Sequence, residues 1–345
     1  MGTDISIVKR DGRKEPLDLD KLHKVVFFAC EGLTGVSASQ VEISSHISFQ
    51  SGMTSEDIQE TMIKAAADLI SEETPNYQLV AGRLITYHLR KQVYGQFEPP
   101  VLKEIVDANI ANDMYDPLLK KWYSEKEFDQ LEKWIDHKRD ENYTYAAMEQ
   151  FRGKYLVQDR FSKKVYETPQ VALMLIGATL FHNYPKETRM QWVKDFYDSV
   201  SRFEISLPTP VMAGVRTSIR QFSSCVLIES GDSLDSINAT SAAIVKYVSK
   251  RAGIGVGGGN IRAVGSSING GHATHTGVIP FYKHFQSAVR SCSQGGVRGG
   301  AATLYYPIWH YEVEDLLVLK NNKGCLLYTS DAADEGLGVD LGGRR

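Results

Sequence analysis

Between Ser236 and Tyr311 the sequence holds neither Asp nor Glu, yet it carries Lys246, Lys250, Arg251, Arg262, Lys283, Arg290 and Arg298. In a chain with a formal net charge of -3 this is a local field that attracts anions. The same stretch holds 13 of the 29 glycines, concentrated in Gly253 to Gly259 and in Ser293-Gln294-Gly295-Gly296-Val297-Arg298-Gly299-Gly300. Glycine lets backbone amides close around a phosphate, so both runs are candidate phosphate cradles, with two flexible surface loops as the plain alternative. Cys225 follows Phe222-Ser223-Ser224 and opens an apolar run, which would set its thiol at a pocket rim; a buried structural cysteine is the alternative. Cys292 lies beside the second glycine run. Near the N-terminus Lys9, Arg10, Lys21 and Lys91 form a second anion site if a hairpin packs over helix ends, and an ordinary solvated face if it does not.

The elements that must position these groups are legible in outline. Ile5 to Lys9 and Glu15 to Leu17 flank Asp11-Gly12, a pair suited to a type I′ hairpin turn. Asp20 is placed to cap a helix with Leu22, Val25, Val26 and Ala29 on one face and Gly32 at its end. Thr54 or Ser55 opens a second helix on Ile58, Met62, Ala65 and Leu69, and a third runs from about Gln78 to Tyr94 before Pro99-Pro100. The pattern stays helical to about residue 205. After Pro208-Thr209-Pro210 comes a strand of buried type, Cys225-Val226-Leu227-Ile228, and Asp232 is placed to cap a helix on Leu234, Ile237, Ile244, Val245 and Val248. Gly253-Ile254-Gly255-Val256-Gly257-Gly258 matches the G-x-G-x-x-G fingerprint letter for letter. That motif needs a preceding strand, a following helix and an acid some twenty residues on; here a helix precedes and no acid appears before Glu312, which argues against a dinucleotide fold.

Composition sets the frame. With 42% hydrophobic and 23% charged residues the chain can build several cored domains, and a pI near 6.3 gives no global attraction to nucleic acid or an anionic membrane. No apolar run approaches the roughly eighteen residues of a membrane span, and no signal-peptide core follows Met1, so a cytoplasmic setting without a membrane partner is expected. Cys30, Cys225, Cys292 and Cys325, with no Cys-x-x-Cys and no His cluster, predict free thiols and no metal site.

The segments Phe222-Ser-Ser-Cys225-Val-Leu-Ile-Glu-Ser-Gly-Asp232-Ser-Leu-Asp-Ser-Ile-Asn238 and Ser291-Cys-Ser-Gln-Gly-Gly-Val-Arg-Gly-Gly-Ala-Ala-Thr303 resemble the large, catalytic subunit of class I ribonucleotide reductase. The likeness runs on through Val8-Lys-Arg-Asp-Gly12, Tyr94-Gly-Gln-Phe-Glu-Pro-Pro100 and Ile205-Ser-Leu-Pro-Thr-Pro210, from about residue 5 to Gly324. It implies an α+β and α/β fold: an ATP cone (1–95), a helical domain (96–220) and the start of a ten-stranded α/β barrel (221–324).

What the resemblance implies for sites is specific. Lys9, the stretch Glu15-Pro16-Leu17-Asp18-Leu19-Asp20-Lys21, Ser55 and Lys91 match an activity site for ATP or dATP, with Ser55 standing where the family commonly has Thr. Asp232, Ser233, Leu234, Arg262 and Asn269 match a specificity site for deoxynucleoside triphosphates, Asn269 standing where some relatives carry a basic residue. Cys292 to Ala301, with Ser293, Gln294, Gly295, Gly296 and Arg298, matches a communicating loop between effector and substrate. Thr209, Ser224 and Gly253 match substrate-binding positions, and Cys225 matches one half of the redox pair that reduces the 2′ carbon. In the family a thiyl-forming cysteine, a glutamate and a second redox cysteine lie further along the chain. The implied partners are a small subunit bearing the metal-radical cofactor, a second large subunit, and thioredoxin or glutaredoxin as reductant, with no covalently bound cofactor.

After Leu316-Leu-Val-Leu-Lys-Asn-Asn-Lys-Gly324 the family-like sequence stops, and 325–345 reads like translated adapter or vector sequence, so Cys325 is given no role. The expectation is a fragment of an enzyme that reduces ribonucleoside diphosphates, itself without turnover; the competing reading is a nucleotide-binding regulatory module.

Overall fold

The computed structural model describes residues 5–10, 12–294 and 298–319, and of Ser293, Gln294 and Arg298 the backbone alone. The chain forms two compact units, Met1–Arg220 and Gln221–Arg345.

The first unit opens with an antiparallel hairpin, β1 (Ser6–Val8) on β2 (Lys14–Pro16), in which Ile7 faces Glu15. Lys9 N–H donates to the Arg13 carbonyl and Gly12 N–H to the Lys9 carbonyl, so three residues, not two, separate the paired positions. Gly12, at φ +82°, supplies the left-handed residue that ends such a loop; the expected two-residue turn is corrected, and Asp11 lies outside the described residues. Asp18, not Asp20, caps α1 (Leu19–Cys30), its carboxylate accepting the Lys21 N–H at 3.1 Å. Asp20 falls in the first turn, where an acid still favours the helix dipole. Helix α2 (Ala38–His46) was not anticipated, because it buries only Val41 and Ser45 and so shows almost no apolar period. Thr54 and Asp57 form a reciprocal capping box on α3 (Ser55–Asp68), and α4 (Tyr77–Tyr94) ends at left-handed Gly95.

The unit continues through α5 (Leu102–Ala111), α6 (Leu118–Trp122), α7 (Glu125–Trp134), a 3₁₀ turn (His137–Asn142), α8 (Tyr145–Gln150) with a following π turn (Phe151–Tyr155), α9 (Pro169–Leu180), α10 (Lys186–Ser201) and α11 (Thr209–Gly214). Pro169 to Ala178 is buried on every side, which makes α9 the axis of the helical core. Two buried ion pairs join distant segments: Arg216 with Glu167, both fully buried, and Arg90 with Asp140.

In the second unit β3 (Cys225–Glu229), β4 (Gly253–Gly257) and β9 (Ala302–Tyr305) form a parallel sheet in the order β3-β4-β9. Between them run α12 (Leu234–Ser249), the short hairpin β5 (Ser267–Ile268) and β6 (Ala273–Thr274) around a 3₁₀ turn, α13 (Ile279–Arg290), and β7 (Ser293–Gln294) paired with β8 (Arg298–Gly299); α14 (Val313–Leu317) follows β9. Ile237, Ile244 and Val248 of α12, Tyr282 and Phe285 of α13, and Ile254 and Val256 of β4 share one core. No helix among the described residues is long and apolar enough to cross a membrane.

Two expectations for this unit are corrected. Strand β3 is not of buried type: Cys225, Leu227 and Glu229 are exposed, Leu227 at 77%, because the described helices of this unit pack on the opposite face, against Val226 and Ile228. Gly253 to Gly257 is a central strand, not a phosphate loop, and its amides serve the ladder. Its glycines answer to packing, since a Cβ at Gly255 would lie 2.5 Å from Leu227 Cδ2 and one at Gly257 2.3 Å from Glu229 Oε2.

Candidate nucleotide sites and a redox thiol

The hairpin, α1, α3 and α4 enclose a cavity of about 560 Å³, within the range of small-molecule sites. It is lined by Lys9, Glu15, Leu17, Asp18, Lys21, Ser55 and Lys91 from the expected activity site, together with Arg10; Pro16, Leu19 and Asp20 do not line it. The strand alternation explains Pro16, which points away while Glu15 points in. Five cations (Lys9, Arg10, Lys21, Lys24, Lys91) stand against two carboxylates on these walls. Lys9 pairs with Glu15 at 2.9 Å and Lys21 with Asp18 at 3.1 Å. Glu15 is held below the usual carboxylate range by the Lys9 hydrogen bond, Asp18 by the Lys21 backbone N–H, and Lys21 is raised by Asp18. Arg10 Nη1 donates to the Lys91 carbonyl at 2.7 Å, and Lys91 Nζ sits 4.5 Å from the Tyr87 ring centroid. Sequence reasoning missed Lys24, Phe28, Gln59 and Tyr87 as lining groups. Helical spacing could have found two of them: Gln59 lies one turn after Ser55, Tyr87 one turn before Lys91. Gln59 Oε1 is buried without a hydrogen-bond partner.

At the expected specificity site Ser233, not Asp232, caps α12, accepting the Ser236 N–H. Asp232 is freed to hold Arg262, accepting from its backbone N–H at 2.9 Å and its Nε at 2.6 Å, while Arg262 Nη1 donates to the Ser267 carbonyl. Arg262 is therefore not a bare cation awaiting phosphate: its charge is matched by Asp232. Leu234, expected on the buried face of the helix, is 68% exposed, while Ile237, Ile244 and Val248 form that face. Asn269 is exposed at φ +53° in the turn between β5 and β6. Gly295 and Gly296 of the communicating loop lie outside the described residues; Ser293-Gln294 and Arg298-Gly299 form the short β7-β8 ladder flanking them.

Cys225 opens β3 opposite Gly253, whose N–H donates to the Ser224 carbonyl at 2.8 Å. A Cβ at Gly253 would touch Cys225 Sγ and the Ser224 oxygen, each at 3.7 Å, so these three residues meet at one sheet end with an exposed thiol. Thr209 belongs to the other unit, half-buried as the first residue of α11 after its Pro208 cap. Cys30, Cys225 and Cys292 are free thiols, and Cys30 is raised by burial. Among the described residues no three His, Cys, Asp or Glu side chains are grouped to hold a metal ion.

Three family models match in succession: an ATP cone domain over residues 5–92, the ribonucleotide reductase all-alpha domain over 141–220 and the ribonucleotide reductase barrel domain over 223–334. The chain is 62% identical over 324 residues to ribonucleoside-diphosphate reductase 1 subunit alpha of Escherichia coli (strain K12), which covers 94% of this chain and 43% of that protein. The alpha subunits of Enterobacteria phage T4 and Helicobacter pylori are 53% and 33% identical, again over 93% of this chain, with 42% and 40% of their own length covered.

Proposed function

The chain belongs to the ribonucleotide reductase large-subunit family, and from that premise we propose that it is the regulatory and substrate-phosphate portion of a class I ribonucleoside-diphosphate reductase. The parent enzyme reduces ribonucleoside diphosphates to 2′-deoxyribonucleoside diphosphates for DNA synthesis, in the cytoplasm, with a small subunit supplying the metal-centred radical. Cys225 and a second cysteine give up two hydrogens as they close a disulfide while the 2′ hydroxyl leaves as water, and thioredoxin or glutaredoxin restores the thiols. The large subunits pair as homodimers. The chain spans 43% of the relatives' length, and its 345 residues on their own bind nucleotides without turnover.

The observation that carries the reading is the cavity of the first unit. A triphosphate entering it meets Lys9 and Lys21, oriented by their ion pairs with Glu15 and Asp18, and Arg10 and Lys91 on the same cavity's walls. ATP or dATP bound there biases overall activity, an assignment that requires coupling between two distinct sites. Deoxynucleoside triphosphates at Asp232 to Asn269 select the substrate, and Thr209, Ser224 and Gly253 hold the diphosphate.

Calorimetry of the 345-residue chain with dATP tests this: saturable binding that weakens roughly ten- to a hundredfold in Lys91→Ala is expected, the range for losing one charge-assisted hydrogen bond. No saturable heat would sink the effector assignment. Turnover of a ribonucleoside diphosphate by this chain, with small subunit and reductant supplied, would instead overturn the claim that it is a binding portion alone.

A further inference from the structure

The acid-free stretch of the second unit ends at Glu312, the first carboxylate after Asp235, and Glu312 is only 6% exposed. A carboxylate at such depth needs its oxygens satisfied by donors. Its Oε2 accepts the backbone N–H of Val264 and that of Val278, each at 3.0 Å. These amides lie on the outgoing and returning limbs of the 262–278 loop, so a single oxygen sets the width of the loop's neck. Oε1 faces Gly277, which sits at φ +94° and whose Cβ, if present, would stand 2.4 Å from that oxygen. The neck closes only over a residue without a side chain.

A second tie comes from His310, 8% exposed. The Glu312 N–H can only donate, so His310 Nδ1 accepts it, at 3.1 Å, and Nε2 carries the ring proton toward the Ile261 carbonyl at 3.0 Å. The residue just before the loop and the one closing it are thus both fastened to the segment that follows β9. That segment is the continuation of the chain out of the 292–301 loop. Further out, Arg262 and its hold on Asp232 and Ser267 fix one limb of the same loop.

We propose that Glu312, oriented by His310, is a positioning residue that fixes the neck of the loop bearing Arg262 and Asn269 and ties that loop to the segment that follows β9, downstream of the communicating loop. The proposal rests on reading Asp232 to Asn269 as a deoxynucleotide effector site. It distinguishes reach from charge: Glu312→Gln keeps an acceptor oxygen at the same distance and preserves the clamp, whereas Glu312→Asp keeps the charge, withdraws the oxygen by one methylene and loses it.

Two measurements on the 345-residue chain test it, amide hydrogen exchange at Val264 and Val278 and calorimetric titration with dTTP and dGTP. In Glu312→Ala and Glu312→Asp the two amides exchange faster, both nucleotides bind about tenfold more weakly because the binding-competent loop is a minor population, and the ratio between them narrows. Glu312→Gln restores all three. If Glu312→Ala does not fold, the Asp and Gln pair carries the same contrast. Unchanged exchange in the Asp variant, or Asp behaving like the parent while Gln fails, overturns the clamp. Faster exchange with unaltered nucleotide affinity overturns its part in effector binding. If the parent chain binds neither nucleotide, the effector-site reading falls, and the exchange data still decide the clamp on their own.

Discussion

The two units differ in how deep their ion pairs lie and in how their central elements are covered. In the first, Arg216 and Glu167 are wholly buried in each other's company, Arg90 meets a fully buried Asp140, and α9 exposes almost nothing from Pro169 to Ala178. In the second, the Asp232–Arg262 pair is about a third exposed, and Leu227, Tyr305, Ile308 and Trp309 leave more than half their surface open. Helices satisfy their own backbone and bury a stripe against one another, as α4 does against α1 and α8, so the first unit builds its core from helices. A parallel sheet needs cover on both faces, and among the described residues of its own unit β3-β4-β9 has helices on one. The same distinction runs through the first unit itself: Arg216 and Arg90 are locked into its core, whereas Lys9 and Lys21, like Arg262 of the second unit, keep a partner at a solvent boundary.

Removing one member of each pair is the sharpest way to break this contrast. Glu167→Ala strands the Arg216 guanidinium in the core, which destabilises the first unit by about 3–5 kcal/mol, and also frees the Tyr115 hydroxyl that donates to Glu167. Asp232→Ala should change stability by about 0–1 kcal/mol, as for other solvent-screened pairs. Urea unfolding of both variants measures this, and equal losses would mean that the exposed pair holds the fold together as firmly as the buried one.

Buried titration offers a second probe of the first unit. Burial pushes Asp140 up to about 6 from an ordinary 3.8, and burial pushes His137, three residues earlier, down to about 4 from 6.5. Between pH 4 and 6 the folded chain holds the Asp140 proton that the unfolded chain releases, so this group makes stability fall as pH rises. Over nearly the same window the unfolded chain binds the His137 proton that the folded chain refuses, so that group makes stability rise. Each effect is on the order of 3 kcal/mol at 1.36 kcal/mol per unit, and they nearly cancel. In His137→Leu the opposing His137 effect is gone, and between pH 4 and 6 unfolding free energy should drop by about 3 kcal/mol relative to His137→Leu/Asp140→Asn, a comparison in which His88 and Glu132 contribute equally to both. Identical profiles in the two variants would show that Asp140 keeps its charge at depth and that Arg90 neutralises it fully.

Much of the first unit was legible because its signals are local. The start of α3 at Thr54 or Ser55, its apolar face on Ile58 and Met62, and the run of α4 to Tyr94 are each read from neighbours a turn or two away. What escaped was α2, with too few buried positions to show a period, and the choice between neighbouring aspartates: Asp18 caps α1 because it precedes the first turn, and Asp232 yields the cap to Ser233 because Arg262, thirty residues away, claims it. The second unit depended on such distant partners throughout. Gly253 to Gly259 looked like a loop because nothing within the run announces Leu227, Glu229 and Tyr305, the side chains that lie across those glycines. Glu312 was visible only as the end of an acid-free stretch; its two amide partners are 48 and 34 positions earlier.

Glycine replacement makes the finest cut between the units, because both contain glycines in close contact but with different neighbours. A Cβ at Gly82 on α4 would lie 2.0 Å from the Tyr143 carbonyl oxygen and 3.1 Å from two further backbone carbons. Backbone held by α8 and the 3₁₀ turn has nowhere to go, so Gly82→Ala should destabilise by about 1–3 kcal/mol through overpacking. At Gly255 the first atom met is the tip of Leu227, at 2.5 Å, and the next is the Tyr305 ring, at 3.0 Å. Both side chains are more than half exposed and can rotate away from the open face. Alanine also recovers about 0.5–1 kcal/mol of chain entropy in a strand, so Gly255→Ala should be close to neutral. Thermal melts of the two variants decide the matter: a loss at Gly255 as large as that at Gly82 would mean that the exposed face of the sheet is as tightly fixed as the helical core.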